Sequence, residues 1–323
     1  GIGILADTGD HEVSNTPGSK NAYIFRFTEF TKKQQEKADA RGEGGTPWKS
    51  VQQAARLHGY DITTYRRLAT GFKANQVNFV WVLKNGNPGI LYVDSHGGGF
   101  TDSNGNRSGA LQIDTYPDAD SLIEDLNKIR PNNPDLKDLN IAVGAEISYF
   151  GEVSVGLFIK PDGDPNTPNR GTGLKQLFKD HDSIVEIDAC FSMLIQSAFA
   201  TAREFIGVEK KSYSSNAVSA TFNEELWGSM DGTLHSGHDR NVDKAFASAE
   251  DDGHLRVGVA RRREDGAFAS GGEEGPGRGR RRPGGARRFR GLRCGDGRLS
   301  PAAAGLRRRL QALAGAGLGE VDG

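Results

Sequence analysis

Two short apolar segments, each followed by a reactive side chain, most constrain how this chain can fold. The first segment, residues 90–94, is followed within two residues by His96, and the second, residues 184–188, is followed within two residues by Cys190. Runs rich in β-branched and apolar residues predict buried strands of a parallel sheet. Ligands of open α/β sheets bind beyond the carboxyl ends of the strands, so we expect His96 and Cys190 to meet at one sheet edge.

Helical and extended segments alternate along the rest of the chain. Helices are predicted over residues 32–45 (with a loop), 48–58, 73–84, 118–128, 172–179, 194–205 and 217–230, and strands over 1–6, 22–30, 60–64, 90–95, 139–150, 153–160 and 183–190. This alternation predicts an α/β fold in three α/β/α layers, with a mostly parallel sheet covered on both faces.

Composition divides the chain into unlike parts. Residues 1–250 carry 25 basic and 33 acidic residues, a net charge of −8, whereas residues 251–323 carry 16 Arg, no Lys and 9 acidic residues. The second part lacks Ile, Asn, Thr, Tyr, Trp and Met, and has too few large apolar residues to offset chain entropy. We therefore predict N-terminal strands and a polar linker over 1–45, truncated before Gly1, a catalytic domain over 46–250 and a disordered tail over 251–323.

The tail admits two interpretations. Its missing residue types have AT-rich codons and its abundant ones have GC-rich codons, which favours an out-of-frame translation. Alternatively, Arg/Gly runs such as residues 277–283 are typical of segments that track nucleic-acid backbones. The acidic net charge of residues 1–250 gives no reason to expect nucleic acid as a partner of the folded part.

No signal-peptide pattern and no apolar run of membrane-spanning length is visible, so we expect a soluble protein without a membrane partner. The cysteines Cys190 and Cys294 do not make a disulfide framework. His235 and His238 lack further ligands, and the Gly/Asp turn over 162–164 lacks the calcium-loop pattern. We therefore expect neither a metal nor another cofactor.

The order of these elements resembles that of the caspase-like (clan CD) cysteine peptidases, which include caspases, metacaspases, clostripain and gingipain. The resemblance rests on a helix before the strand that ends in Ser-His-Gly (95–97) and on the later strand that ends in Asp-Ala-Cys (188–190). Segment 212–218, the helix that carries Phe222 and Trp227, and segment 241–246 look like the closing strand and helices of bacterial caspase-like domains. The resemblance covers roughly residues 50–250.

This resemblance implies a protein or peptide substrate, with Cys190 as nucleophile, His96 as general base or acid, and the Gly97 N–H in an oxyanion hole. The residues support that chemistry, because a thiolate activated by an imidazole attacks carbonyls. Asp188 is similar to the acidic residue that lines the primary specificity pocket of metacaspases, which implies cleavage after Arg or Lys. The alternative is that Asp188 accepts backbone hydrogen bonds at a helix start.

The chain also departs from the caspase pattern. Caspases carry Gly two residues after the cysteine and a His about 50 residues upstream of it. Here Phe191 and Ser192 follow Cys190, and His96 lies 94 positions earlier. A true caspase is therefore not expected, and the long intervening segment predicts an inserted hairpin or loop.

Two other functions compete with the peptidase. Residues 96–100, His-Gly-Gly-Gly-Phe, match the oxyanion loop of lipase-like α/β-hydrolases and would indicate an esterase. That class also needs a Gly-x-Ser-x-Gly nucleophile motif, which the chain lacks. The second alternative is a non-catalytic caspase-like interaction module, because a fold does not by itself imply activity.

Overall fold

The structure is a computed structural model that describes residues 19–40, 45–101, 107–147, 153–163, 171–179, 182–208 and 222–228, together with short strands within 257–262, 268–269 and 319–320. Several sequence predictions lie outside these described residues: the strand over 1–6, the segments over 212–218 and 241–246, the histidines 235 and 238, and the cysteine 294.

The described part of the chain contains both strands and helices, which are interspersed along the sequence. In chain order they are β1 (Asn21–Arg26), α1 (Lys32–Asp39), α2 (Pro47–Leu57), β2 (Asp61–Arg66), α3 (Gln76–Trp81, continued by a π-helical turn over Val82–Gly86), β3 (Ile90–Asp94), β4 (Gly97–Thr101), β5 (Arg107–Tyr116), α4 (Ala119–Ile129), α5 (Pro134–Lys137), β6 (Ile141–Ile147), β7 (Val153–Ile159), α6 (Leu174–Leu177), β8 (Ile184–Asp188), a 3₁₀ helix (Ser192–Phe199), β9 (Glu204–Val208), α7 (222–228), β10 (Val257–Arg262), β11 (Phe268–Ala269) and β12 (Gly319–Glu320).

The main sheet contains five parallel strands in the order β2-β1-β3-β8-β9, and β10 and β11 extend it antiparallel beyond β9. Parallel pairing requires a crossover between successive strands. Helix α2 supplies it between β1 and β2, and α3 supplies it between β2 and β3. The predicted α/β class with a parallel sheet is therefore confirmed.

The segment between β3 and β8 contributes strands β4 to β7 to a second sheet, which β12 joins beside β6, in the order β12-β6-β7-β5-β4. Strands β4 to β7 pair antiparallel, and β5 contains a bulge between Gln112 and Asp114. The insertion predicted from the long spacing is thus larger than a hairpin or loop. It places a separate sheet directly after His96.

The two faces of the main sheet carry separate apolar clusters. Along β3, Leu91 and Val93 face one cluster, which continues into α3 and the second sheet. Ile90 and Tyr92 face the other, which includes α2 and α7. The alternation follows from the two-residue period of a strand, and burial of both faces explains why β3 has no charged residue before Asp94.

Two parts of the sequence prediction are wrong in detail. The apolar run over 194–205 was expected to be one helix, but it divides into the 3₁₀ helix and β9, because periodicity cannot separate a short buried strand from a helix. Glycines 97–99 were assigned to no strand or helix, yet they begin β4. Strand β5 has no counterpart in the prediction.

Most of residues 251–323 lies outside the described residues, so the division into three parts stays a prediction. Within that segment, β10 and β11 pair beside β9, and β12 pairs with β6. In the described part of the chain, no helix has the length and apolar character needed to cross a membrane.

Glu186 is a buried carboxyl in the middle of β8. The Nε1–H of Trp227, on α7, donates a hydrogen bond to its Oε2 at 2.6 Å. Burial, with a smaller contribution from the charge of the nearby Asp188, raises the pKa of Glu186 to about 8, although hydrogen bonds from Trp227 and Asn223 act in the opposite direction. The folded protein therefore holds a proton on Glu186 around neutral pH.

We expect Glu186→Gln to flatten the pH dependence of stability. The pKa of Glu186 is about 8 in the folded protein and that of an unfolded Glu is about 4.3, so the folded state binds one more proton between these values. The free energy of unfolding consequently falls as pH rises through that window, by at most about 1.4 kcal/mol per pH unit. Urea denaturation at pH 5, 6.5 and 8 measures this slope.

The exposed Glu124→Gln is the matched control, because Glu124 is ionised in both states across that pH range. Its slope should equal that of the wild type. An unchanged slope in Glu186→Gln would contradict the assignment of the proton to Glu186.

Candidate functional site

Strands β3 and β8 are neighbours in the main sheet, and their register places Asp94 opposite Asp188. The pairing continues past the strands, since the Ser95 N–H donates to the Asp188 carbonyl at 3.2 Å. His96 and Cys190 each lie two residues beyond the paired aspartates. The structure therefore brings both residues to the same point of the carboxyl edge, where each is half-buried.

Gly97 packs directly on the main chain of Cys190. A Cβ atom at Gly97 would lie 1.9 Å from the Cys190 carbonyl oxygen and 2.9 Å from its carbonyl carbon. Those contacts are with backbone, which cannot move aside as a flexible side chain would. Only glycine fits at position 97, and its absent side chain lets the His96 segment touch the Cys190 turn.

Phe191, directly after Cys190, has left-handed backbone angles, φ 57° and ψ 20°. This region favours glycine, and a bulky residue there is strained. Such strain persists only where surrounding structure enforces it, and it concentrates at functional sites. The chain therefore makes an enforced sharp turn at the residue after the candidate nucleophile.

Ser192 holds that turn in place. Its hydroxyl donates to the Ile187 carbonyl at 2.7 Å and accepts the Val208 N–H at 2.7 Å, so it joins the ends of β8 and β9. Ser192 stands where caspases carry glycine after the cysteine. In this chain the Ser192 side chain is buried. Its hydroxyl already serves as a donor and as an acceptor in hydrogen bonds to main-chain groups.

The second sheet positions the His96 segment. The N–H of Gln112 donates to the His96 carbonyl at 3.0 Å, and the Ser95 hydroxyl donates to the Gln112 carbonyl at 2.8 Å. Ser95 and Gln112 are both buried. Sequence reasoning missed Gln112, because its contact joins positions 16 residues apart across a hairpin that the apolar pattern did not reveal.

Charged residues occupy the last position of four adjacent strands. In spatial order they are Arg66 of β2, Arg26 of β1, Asp94 of β3 and Asp188 of β8. The buried Glu29 lies next to both arginines, with its Oε1 2.7 Å from Arg66 Nε and 3.6 Å from an Arg26 guanidinium nitrogen. The positive half of the row is thus partly neutralised within the fold.

Asp94 has its own internal partners. The Thr28 hydroxyl donates to its carboxylate, and the Arg26 guanidinium lies near it. Burial raises the pKa of Asp94, while the hydrogen bond from Thr28 and the charge of Arg26 lower it. Asp94 is therefore held by β1 and the segment after it.

Asp188 lies on the side of the row next to Cys190. Its Oδ2 lies 3.4 Å from the hydroxyl of Tyr92, a fully buried residue of β3. Burial raises the pKa of Tyr92 well above its usual range, and the charge of Asp188 raises it further, so the phenol stays a donor. The following 3₁₀ helix begins at Ser192 and has Phe191 at its cap, so Asp188 does not occupy the cap position.

The described residues contain no group of three or more His, Cys, Asp or Glu side chains that could hold a metal ion. In comparisons with known proteins, no family model matches this sequence and no curated protein matches it.

We expect Phe191→Gly to be more stable than Phe191→Ala by about 1 kcal/mol, the usual cost of left-handed angles in a residue with a Cβ. Both variants lose the phenyl ring, so their difference isolates the backbone conformation. Urea denaturation of the two variants measures it. Equal stabilities, or a more stable alanine variant, would show that residue 191 is not held at positive φ in solution.

Proposed function

We propose that this chain is a cysteine endopeptidase with a caspase-like three-layer α/β/α fold, in which Cys190 is the nucleophile and His96 the general base. One observation carries the proposal: Asp94 and Asp188 are partners on adjacent strands, and both reactive residues follow at the same offset. The close packing of Gly97 on the Cys190 backbone supports the proposal, because it puts the segment that follows His96 in direct contact with the Cys190 turn.

The chemistry follows from that arrangement. His96 takes the Cys190 proton, and the thiolate attacks the carbonyl carbon of the scissile peptide bond. The tetrahedral intermediate collapses when His96 returns the proton to the leaving amine, which gives a thioester on Cys190. Water, deprotonated by His96, then attacks the thioester, and the carboxylic acid and the thiol are released.

Gly97 supplies a donor for the developing oxyanion. In an antiparallel pair the residues alternately direct their N–H and C=O groups toward and away from the partner strand. Since the His96 carbonyl accepts from Gln112 of β5, the N–H of Gly97 points away from β5. This N–H can therefore donate to a substrate carbonyl bound at the open edge of β4. Backbone donors of this kind contribute strongly to transition-state stabilisation in acyl transfer.

Asp188 supports a preference for Arg or Lys at the cleaved position. Its carboxylate lies two residues before the nucleophile at the carboxyl edge, and a half-buried carboxylate is stabilised by a cationic partner. Asp94, the neighbouring carboxylate, lies on β3, one strand away from the strand that leads into Cys190. We assign recognition of the basic side chain to Asp188, because it ends β8 directly before the Cys190 turn.

The esterase alternative receives less support. Gly97 to Thr101 form a β-strand paired with β5. The nucleophile elbow of α/β-hydrolases joins a strand directly to a helix with small flanking residues. The Cys190 turn instead has Phe191 beside it and leads into a 3₁₀ helix.

We expect the full chain to hydrolyse fluorogenic peptide amides, with all activity lost in Cys190→Ala. We expect His96→Ala to lower kcat by about 10²- to 10⁴-fold, the usual contribution of a positioned general base. Initial rates over a panel varied at the cleaved position provide the measurement. Thermal unfolding of both variants serves as the folding control.

The rate of Cys190 alkylation by iodoacetamide between pH 6 and 8 distinguishes a cysteine peptidase from a non-catalytic module. Cys190→Ala reports the background from Cys294, and His96→Ala reports the loss of imidazole activation. Absence of cleavage with ordinary thiol reactivity at Cys190 would favour the non-catalytic module. Hydrolysis of esters without hydrolysis of amides would favour the esterase.

We expect Asp188→Asn to lower kcat/KM for an Arg substrate by about ten- to hundredfold, the range of a hydrogen bond to a charged group. A citrulline substrate has nearly the same shape without the charge and should lose much less. Asp94→Asn is the matched control, since it removes a charge one strand away. Equal losses for Arg and citrulline would contradict the role of Asp188.

A further inference from the structure

Strand β4 is an edge strand that begins at the candidate active site. It starts at Gly97, the residue after His96, and stands last in the order of the second sheet. Among the residues that the structure describes, only β5 pairs with it. An edge strand presents a row of N–H and C=O groups that another extended chain can use.

The register shows which groups of β4 face the open side. His96 lies opposite Gln112 and accepts its N–H, and Gly98 lies opposite Ala110 two residues along. By the alternation of antiparallel ladders, Gly97 and Gly99 therefore direct their N–H and C=O groups away from β5. Those two residues are about 6.8 Å apart along the strand, the repeat of an extended peptide.

The composition of β4 makes this edge accessible. Residues 97 to 99 are all glycine, so no side chain shields the backbone from a second chain. Gly97 and Gly99 are half-buried, whereas Gly98 is buried. Because Gly97 touches the Cys190 main chain, the open edge begins beside the nucleophile.

We propose that the open edge of β4 binds the substrate main chain as an added strand, with Gly99 as the principal hydrogen-bonding residue. The inference rests on the proposed peptidase function and adds that the substrate is an extended peptide segment of several residues. Main-chain pairing provides affinity in such complexes, whatever the side chains of the bound peptide. Unfolded segments and exposed loops meet this requirement, whereas a helix does not.

The first test compares two substrates on variants of the full chain. The ratio of kcat/KM for a tetrapeptide amide to that for the corresponding single-residue amide should fall about two- to tenfold per lost hydrogen bond in Gly99→Pro, which lacks the N–H. Gly99→Ala adds a Cβ and keeps the N–H, so its ratio should stay well above that of the proline variant. Equal ratios in the two variants would overturn the proposal.

The second test needs no variant. Cys190 is alkylated by a tetrapeptidyl chloromethyl ketone or by its single-residue analogue, each of which forms a thioether and releases chloride. Hydrogen exchange read by mass spectrometry should show added protection over residues 97–101 with the tetrapeptide only. Equal exchange in the two adducts would overturn the proposal even if Gly99→Pro fails to fold.

These outcomes are distinct from failure of the proposed function. If the wild type hydrolyses neither substrate, or if Cys190→Ala retains the activity, the peptidase assignment itself is wrong. If hydrolysis depends on Cys190 but neither the ratio nor the protection changes, the substrate lies elsewhere and only the β4 assignment is wrong.

Discussion

The parallel pairing of β3 with β8 is the constraint on which the rest of the structure depends. Leu91, Val93, Val185 and Ile187 are completely buried on one face of these strands. Full burial of each such side chain is worth roughly 1.5–3 kcal/mol. A slip of one residue would turn Asp94 or Asp188 toward that face, so the hydrophobic pattern specifies the register strongly. The same register sets His96 beside Cys190.

The face of β3 and β8 that carries Asp188 is unusually polar for buried strands. Tyr92 and Glu186 are register partners, both buried, and Asp188 follows two residues later on the same face. A buried carboxyl without a counter-charge is tolerated by staying protonated, and burial raises the pKa of Glu186 to about 8 even though Trp227 donates a hydrogen bond to it. When Glu186 is neutral, Asp188 carries the only negative charge on β8.

The sequence allowed the strand ends to be predicted better than their surroundings. Runs 90–94 and 184–188 are rich in Ile, Leu and Val because both faces are buried, and such runs are recognisable without an alignment even though Glu186 interrupts the second one. Strand β5 was not recognised, because Gly109 interrupts its apolar pattern and Gln112 and Asp114 interrupt it again at the bulge. Gln112 could not have been assigned a role from the sequence. It positions Ser95 and His96 through its main-chain N–H and carbonyl groups, and any residue except proline carries both groups.

The second sheet gives the site a property that the main sheet alone could not provide. A parallel sheet buries its strands on both faces, and its carboxyl edge consists of separate loops that must each be held in position. Here the chain after His96 turns at once into a strand, and Gln112 of β5 holds both Ser95 and His96 through main-chain groups. The backbone that positions His96 is therefore continuous with the edge of β4. Insertion of a sheet at this point thus provides both rigidity at His96 and an ordered edge beside Cys190.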